Sequence, residues 1–365
     1  MKQTRLARVV VVVVMVVIAG LLVALVALLT QNVERKEVRE DAPLLISRTL
    51  SAFDVVAASG QVFWIDSREG GHSVYGYDPA TQQEFLVRAG YNGALTSDGQ
   101  QVTWLVAPDD SYKLKVQRYD PASKQQRTIT SIQLPAVFAS PFEDFRMFAA
   151  DADTVYHVGS KDPAPSNFGL YAIDLATGNE RLITTTPIDP SYRGIVASDG
   201  VLIWHEVRFL PPGPGRYKLP HTKLHAQQKN GKDIIITGAD GCPGGYDISG
   251  SKVAWALGCG AIDSRVHLSD LQSGRTEAIS SDSPLDHAED PLISGNVVAW
   301  TDTPEGEPGS TNEWSLVTYD IATQSRTVLL TSDKNLKAEA IVGQDAVAYL
   351  SAGDPLWDLY LIGIK

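Results

Sequence analysis

Three short runs carry residues suited to chemistry: "WID" (64–66), "WHE" (204–206) and "WTD" (300–302). Each sets a carboxylate two positions after a tryptophan, giving Asp66, Glu206 and Asp302, with His205 inside the second run. Carboxylates and an imidazole gathered at one mouth can divide general acid and base roles, as cleavage of a glycosidic bond requires. The plainer role for the same residues is to end strands and satisfy the backbone of the loops that follow. His221 and His225, in "HTKLH", have helical metal spacing, but a strand rising about 3.3 Å per residue would part them by roughly 13 Å. The sequence has no GxSxG elbow, HExxH helix, EF-hand loop or phosphate-cradling glycine loop, so neither cofactor nor metal is expected.

A different chemistry suits "EVRFLPPGPGRYKLPH" (206–221), which joins Arg208, Phe209, Arg216, Tyr217 and Lys218 on a proline-stiffened segment. Aromatic and arginine side chains anchor interfaces, and a stiff loop loses less entropy on binding. "DTPEGEPGSTNEW" (302–314) offers acidic residues and Trp314 in the same setting. Both segments are expected to meet a protein partner or cell-envelope ligand. The competing reading is an insertion that meets nothing.

The elements that position these residues repeat. "VYGYDPATQQEFLV" (74–87), "LYAIDLATGNERLIT" (170–184) and "LVTYDIATQSRTVLL" (316–330) each read strand, polar turn, strand, the Asp serving to start the turn. Six such hairpins occur, the fourth (223–237) without its Asp. Between them lie seven apolar strands with an aromatic: Trp64, Trp104, Tyr156, Trp204, Trp255, Trp300 and Tyr349. Their spacings of 40, 52, 48, 51, 45 and 49 residues fit four-stranded propeller blades. The seventh unit ends after three strands, and "PLLISRTL" (43–50) supplies a fourth from the other end of the chain. An all-β, seven-bladed propeller closed by an N-terminal strand is therefore expected, with six blades as the alternative. One aromatic per blade is a blade-to-blade core pattern rather than a carbohydrate platform. In such a ring the loops after second and fourth strands crowd one face, bringing Asp66, His205, Glu206 and Asp302 towards its rim.

With its "DxATG" hairpins and "VAW" strands, the segment 43–365 resembles the TolB-type β-propeller repeat family. The resemblance implies the fold and an extracytoplasmic setting. It is silent on function, because such propellers serve both as partner-binding domains and as parts of enzymes.

Two cysteines, Cys242 and Cys259, flank "PGGYDISGSKVAWALG". With a two-residue turn at Gly250-Ser251 they fall opposite one another at a non-hydrogen-bonded pair, about 4.5 Å between Cα atoms, which a disulfide can span. Such a bridge would add roughly 3 kcal/mol and belongs outside the cytoplasm. Two buried thiols are the alternative.

The net charge is −12, and residues 1–41 hold six Lys/Arg and four Asp/Glu, leaving 25 against 39, or −14, on the remainder. An acidic body lacks the basic footprint of nucleic-acid binding. Residues 1–8 carry Lys2, Arg5 and Arg8, and residues 9–29 are 21 uncharged apolar residues, roughly 31 Å as a helix. That length exceeds a cleaved signal peptide's usual apolar stretch. An uncleaved signal anchor in a bacterial cytoplasmic membrane follows, with residues 30–42 as linker and the propeller in the periplasm or outside. The propeller body is translocated whatever its charge.

Overall fold

Alternating side chains and polar turns build twenty-eight strands among the described residues, paired into seven four-stranded antiparallel sheets. The structure is a computed structural model. It describes residues 42–49, 53–68, 71–90, 92–106, 113–133, 148–159, 169–185, 194–208, 221–229, 231–236, 243–257, 265–280, 286–304, 313–352 and 357–364. The apolar stretch 9–29 and the linker lie outside these, and no described helix is long and apolar enough to cross a membrane. Blades 1 to 6 occupy residues 53–88, 92–133, 148–184, 195–235, 243–278 and 286–332. Blade 7 takes strands Leu336–Val342, Ala346–Ala352 and Trp357–Gly363, with Leu44–Thr49 as its outer strand. The N-terminal strand thus closes the ring as expected. The six-blade alternative falls because residues 92–133 form a complete blade.

Within a blade, burial grades outward. Second strands such as Gln61–Asp66 are packed on both faces and read as nearly continuous apolar runs, whereas outer strands such as Gln83–Arg88 are mostly exposed. Seven apolar clusters each join two successive blades, including one between blades 7 and 1. The second-strand aromatics sit in these seams, and Trp64, Trp104 and Trp300 are fully buried. Each begins a cross-strand row that ends on the outer strand: Trp64–Tyr75–Leu86, Trp204–His225–Ile235 and Tyr349–Tyr360–Leu45 are examples.

Blade 3 departs from the sequence reading. Its row is His157–Tyr171–Leu182, with the two rings stacked at 5.5 Å. Val155, two residues before His157, packs on blade 2, whereas Tyr156 packs on blade 4. The seam position is therefore His157, one residue beyond Tyr156. In a strand that one step reverses the face.

At the short-turn end, side chains tie each blade to the next. Ser59 Oγ donates to the carbonyl of Gln100 (2.8 Å), and Asp199 Oδ2 accepts from the Gly250 N–H (3.0 Å). Ser249 Oγ accepts from Gly295 N–H, and Ser294 Oγ donates to Gly343 (both 3.0 Å). Between blades 2 and 3 the tie is Arg118, which donates to the carbonyls of Ala152 and Asp151 at 2.7 Å and to Thr103 at 3.1 Å. Burial lowers the pKa of this guanidinium, yet it stays charged at neutral pH. Arg118→Met should therefore strand two carbonyls and cost about 2–4 kcal/mol, read from the urea midpoint at constant slope.

Beside the cysteines the strand pairing carries a bulge. Gly245 faces Ala256 as a Gly250-Ser251 turn requires, but a bulge then puts Pro243 opposite Leu257 rather than Gly258. Cys242 and Cys259 themselves lie outside the described residues. The bulge inserts one residue at Gly244, inside the run Pro243-Gly244-Gly245, where glycine in a strand favours one.

Candidate functional site

First strands from all the blades line a central cavity of 550 Å³. Bulges kink five of these strands at a similar depth, between residues 53/56, 93/96, 243/245, 289/292 and 338/340. Asp54, Ala94 and Asp290 adopt φ of 51°, 51° and 53° there, a left-handed conformation uncommon for residues other than glycine. The acidic groups facing the cavity are engaged. Asp54 accepts from the Leu95 N–H (3.4 Å), Asp247 from the Ile293 N–H (2.9 Å), and Glu339 pairs with Lys337.

The two ends of the ring differ. No connection between first and second strands, or between third and fourth, exceeds five residues. At the other end, 12 residues separate Arg208 from His221 and 14 separate Gln133 from Phe148. The closing strand enters from the short-turn end, since Thr49 leads into blade 1 across the long-connection end.

Asp66, Glu206 and Asp302 occupy equivalent places in blades 1, 4 and 6, at the long-connection end of their second strands. Each is buried and each meets a nitrogen base, Arg68, His225 or Arg326, that also contacts an aromatic ring. Asp66 Oδ2 pairs with Arg68 at 2.7 Å, and that guanidinium lies 4.1 Å over Tyr75. Arg68 also donates to Glu84 (2.7 Å) and, on the closing strand, to Ser47 (3.0 Å). Glu206 Oε2 meets His225 Nε2 at 2.9 Å; His225 Nδ1 contacts Asp233 at 3.1 Å, and its ring stacks on Trp204 at 5.0 Å. Asp302 accepts from Trp300 Nε1 (2.6 Å) and pairs with Arg326, which lies 5.9 Å from the Trp300 ring. These carboxylates sit on seams between blades, each with its own side-chain partner. His205 is on the opposite face of its strand from Glu206, packed against blade 5 at Tyr246.

The loop candidates divide differently. Phe209, Arg216, Tyr217 and Lys218 lie outside the described residues. Arg208 ends strand Val201–Arg208, paired in register with His221, and is where the long connection departs. Trp314 opens strand Trp314–Asp320, half-buried against the blade 6–7 cluster. His221 and His225 share an extended strand, and among the described residues no three His, Cys, Asp or Glu side chains gather as a metal site. Sequence reasoning missed the partners Arg68, His225 and Arg326. Its available signal was the shared W-x-acid position, which predicts three equivalent environments and hence a basic partner near each acid.

These features define a seven-bladed β-propeller closed by its first strand. No protein-family model matches the sequence, and no curated protein matches it. Similar solved structures include the β-propeller domain of the Trilobed protease from Pyrococcus furiosus, at TM-score 0.60 and 10% identity over 86% of this chain and 93% of that one. Oligogalacturonate lyase from Vibrio parahaemolyticus has TM-score 0.59 and 12% identity over 90% and 96%. TolB from Acinetobacter baumannii has TM-score 0.45 and 14% identity over 75% and 63%, a likeness too weak to argue from. At these identities the likeness is one of fold.

Proposed function

We propose that this chain is a membrane-anchored, extracytoplasmic propeller whose long-connection face binds a protein partner or a cell-envelope ligand. The observation that carries the reading is the asymmetry of the ring: connections of five residues or fewer at one end, of up to 14 at the other. Binding faces are built from variable loops on a rigid scaffold. The apolar stretch 9–29 supports a setting at a membrane, and the acidic body disfavours nucleic acid. In the competing reading, an enzyme with carboxylates at the channel mouth, Asp66, Glu206 or Asp302 would have to leave its partner in the seam before meeting a substrate.

The test is crosslinking and co-purification from the native membrane, beside a variant with residues 209–219 replaced by a short Gly-Ser linker. A defined partner held by the parent should be lost at least tenfold from the variant, with its melting temperature unchanged. Equal capture by both would sink the loop-face reading. The purified body would then be assayed against envelope glycans and peptides.

A further inference from the structure

His205 breaks a pattern. The residue after the seam aromatic faces the following blade, and in the other blades it is Ile65, Leu105, Val158, Ala256, Thr301 and Leu350. Only Thr301 among these is polar, and its Oγ1 accepts from the N–H of Ala338 across the seam at 3.1 Å. His205 is 1% exposed, and neither of its ring nitrogens has a hydrogen-bond partner among the described residues. Its ring meets that of Tyr246 edge-on at 4.6 Å, while the Tyr246 hydroxyl donates to the carbonyl of Gly194. Ile203, Leu224, Ile248 and Trp255 pack in the same seam, and behind them on blade 5 His267 stacks on the Trp255 ring at 4.3 Å while Ser269 Oγ accepts from Trp255 Nε1.

No charge nearby would welcome a proton. On the same blade, Glu206, Lys223 and His225 share the opposite face, the one turned to blade 3. On blade 5, Asp247 spends its carboxylate on the N–H groups of Ile248 and Ile293, and Lys252 stands at the turn end of its strand.

We propose that the seam between blades 4 and 5 is an acid-released joint, in which His205 takes up a proton only when blade 4 parts from Tyr246, so that falling pH opens the ring there. The inference stands apart from the partner reading, since it concerns the seam alone. It supplies a device beneath Arg208 and His221, the strand ends that bear the 12-residue connection.

Burial, with a smaller push from His225, lowers the imidazole from 6.5 to about 3. A depressed folded pKa means the closed seam has its full stability above 6.5 and loses it as the pH falls towards 3. The opening constant rises about tenfold for each unit below 6.5.

Hydrogen exchange on the full-length protein, corrected for intrinsic rates, reads this directly. Between pH 7 and pH 5, protection of residues 195–208 and 243–249 should fall about 30-fold while blades 1 and 7 hold. His205→Leu should remove the pH response. Tyr246→Phe should start from lower protection and keep the slope. A wild-type response spread evenly around the ring, or one that persists in His205→Leu, overturns the proposal. Should His205→Leu fail to fold, the ring of His205 can be titrated by NMR in the parent. A ring that protonates near 6.5 while the seam amides stay protected overturns it equally.

Discussion

Deletion of residues 42–50 is expected to open the ring and remove about 5 kcal/mol of stability. The closing strand buries Ile46 in the seam cluster between blades 7 and 1 and pairs with Trp357 to Leu361 around a bulge at Ile46. Burial of one isoleucine is worth about 2 kcal/mol, and the ladder adds about 1 kcal/mol for each hydrogen bond lost without a water-filled substitute. Ser47 also receives Arg68, so the deletion frees a cation that otherwise spans Asp66 and Glu84. A domain held by 5–15 kcal/mol in total would be left marginal. It would also present the edge of Trp357–Gly363 to other chains, an aggregation hazard. The urea midpoint and light scattering at equal concentration check both effects. If the truncated chain stays monomeric with an unchanged midpoint, closure is not what holds the ring.

The second large effect lies at the seam between blades 3 and 4. His225→Leu should cost about 1–3 kcal/mol, because it removes the imidazole that meets the buried Glu206 carboxylate at 2.9 Å. The side chains of Glu206 and His225 are 7% and 10% exposed, so water cannot take over. Glu206→Leu combined with His225→Leu should recover most of that loss, since an apolar pair of similar volume suits the seam. A double-mutant cycle measures the coupling, and additive costs would show that the contact carries no pairing energy. The same cycle bears on function. If the doubly apolar variant still binds its partner, Glu206 serves the seam; if binding fails in a folded variant, the carboxylate reaches a ligand as well.

The architecture was legible in the sequence because its causes are local. Period-two alternation marks each strand, and Asp-led turns mark each hairpin, as in Asp174, whose carboxylate receives the N–H groups of Ala176 and Thr177. Those turn contacts hold its pKa low, as equivalent contacts do for Asp120 and Asp320. The fourth strand missing at one end and present at the other predicted closure. These features need no knowledge of what lies across a seam.

What only the tertiary structure decided is how side chains meet between strands and blades. Arg68, His225 and Arg326 lie 2, 19 and 24 positions from the acids they hold, and no pattern along the chain joins them. A bulge within Pro243-Gly244-Gly245 moved Pro243 off the register assumed for the cysteines; the glycines permit a bulge, and the pairing across the sheet decides that one forms. A single step along the strand made His157 rather than Tyr156 the seam ring of blade 3. Strand and turn propensities act over a few residues, whereas face, register and charge partner are settled only when neighbouring sheets pack. The candidate catalytic groups were therefore visible as residues, and their engagement in the seams was not.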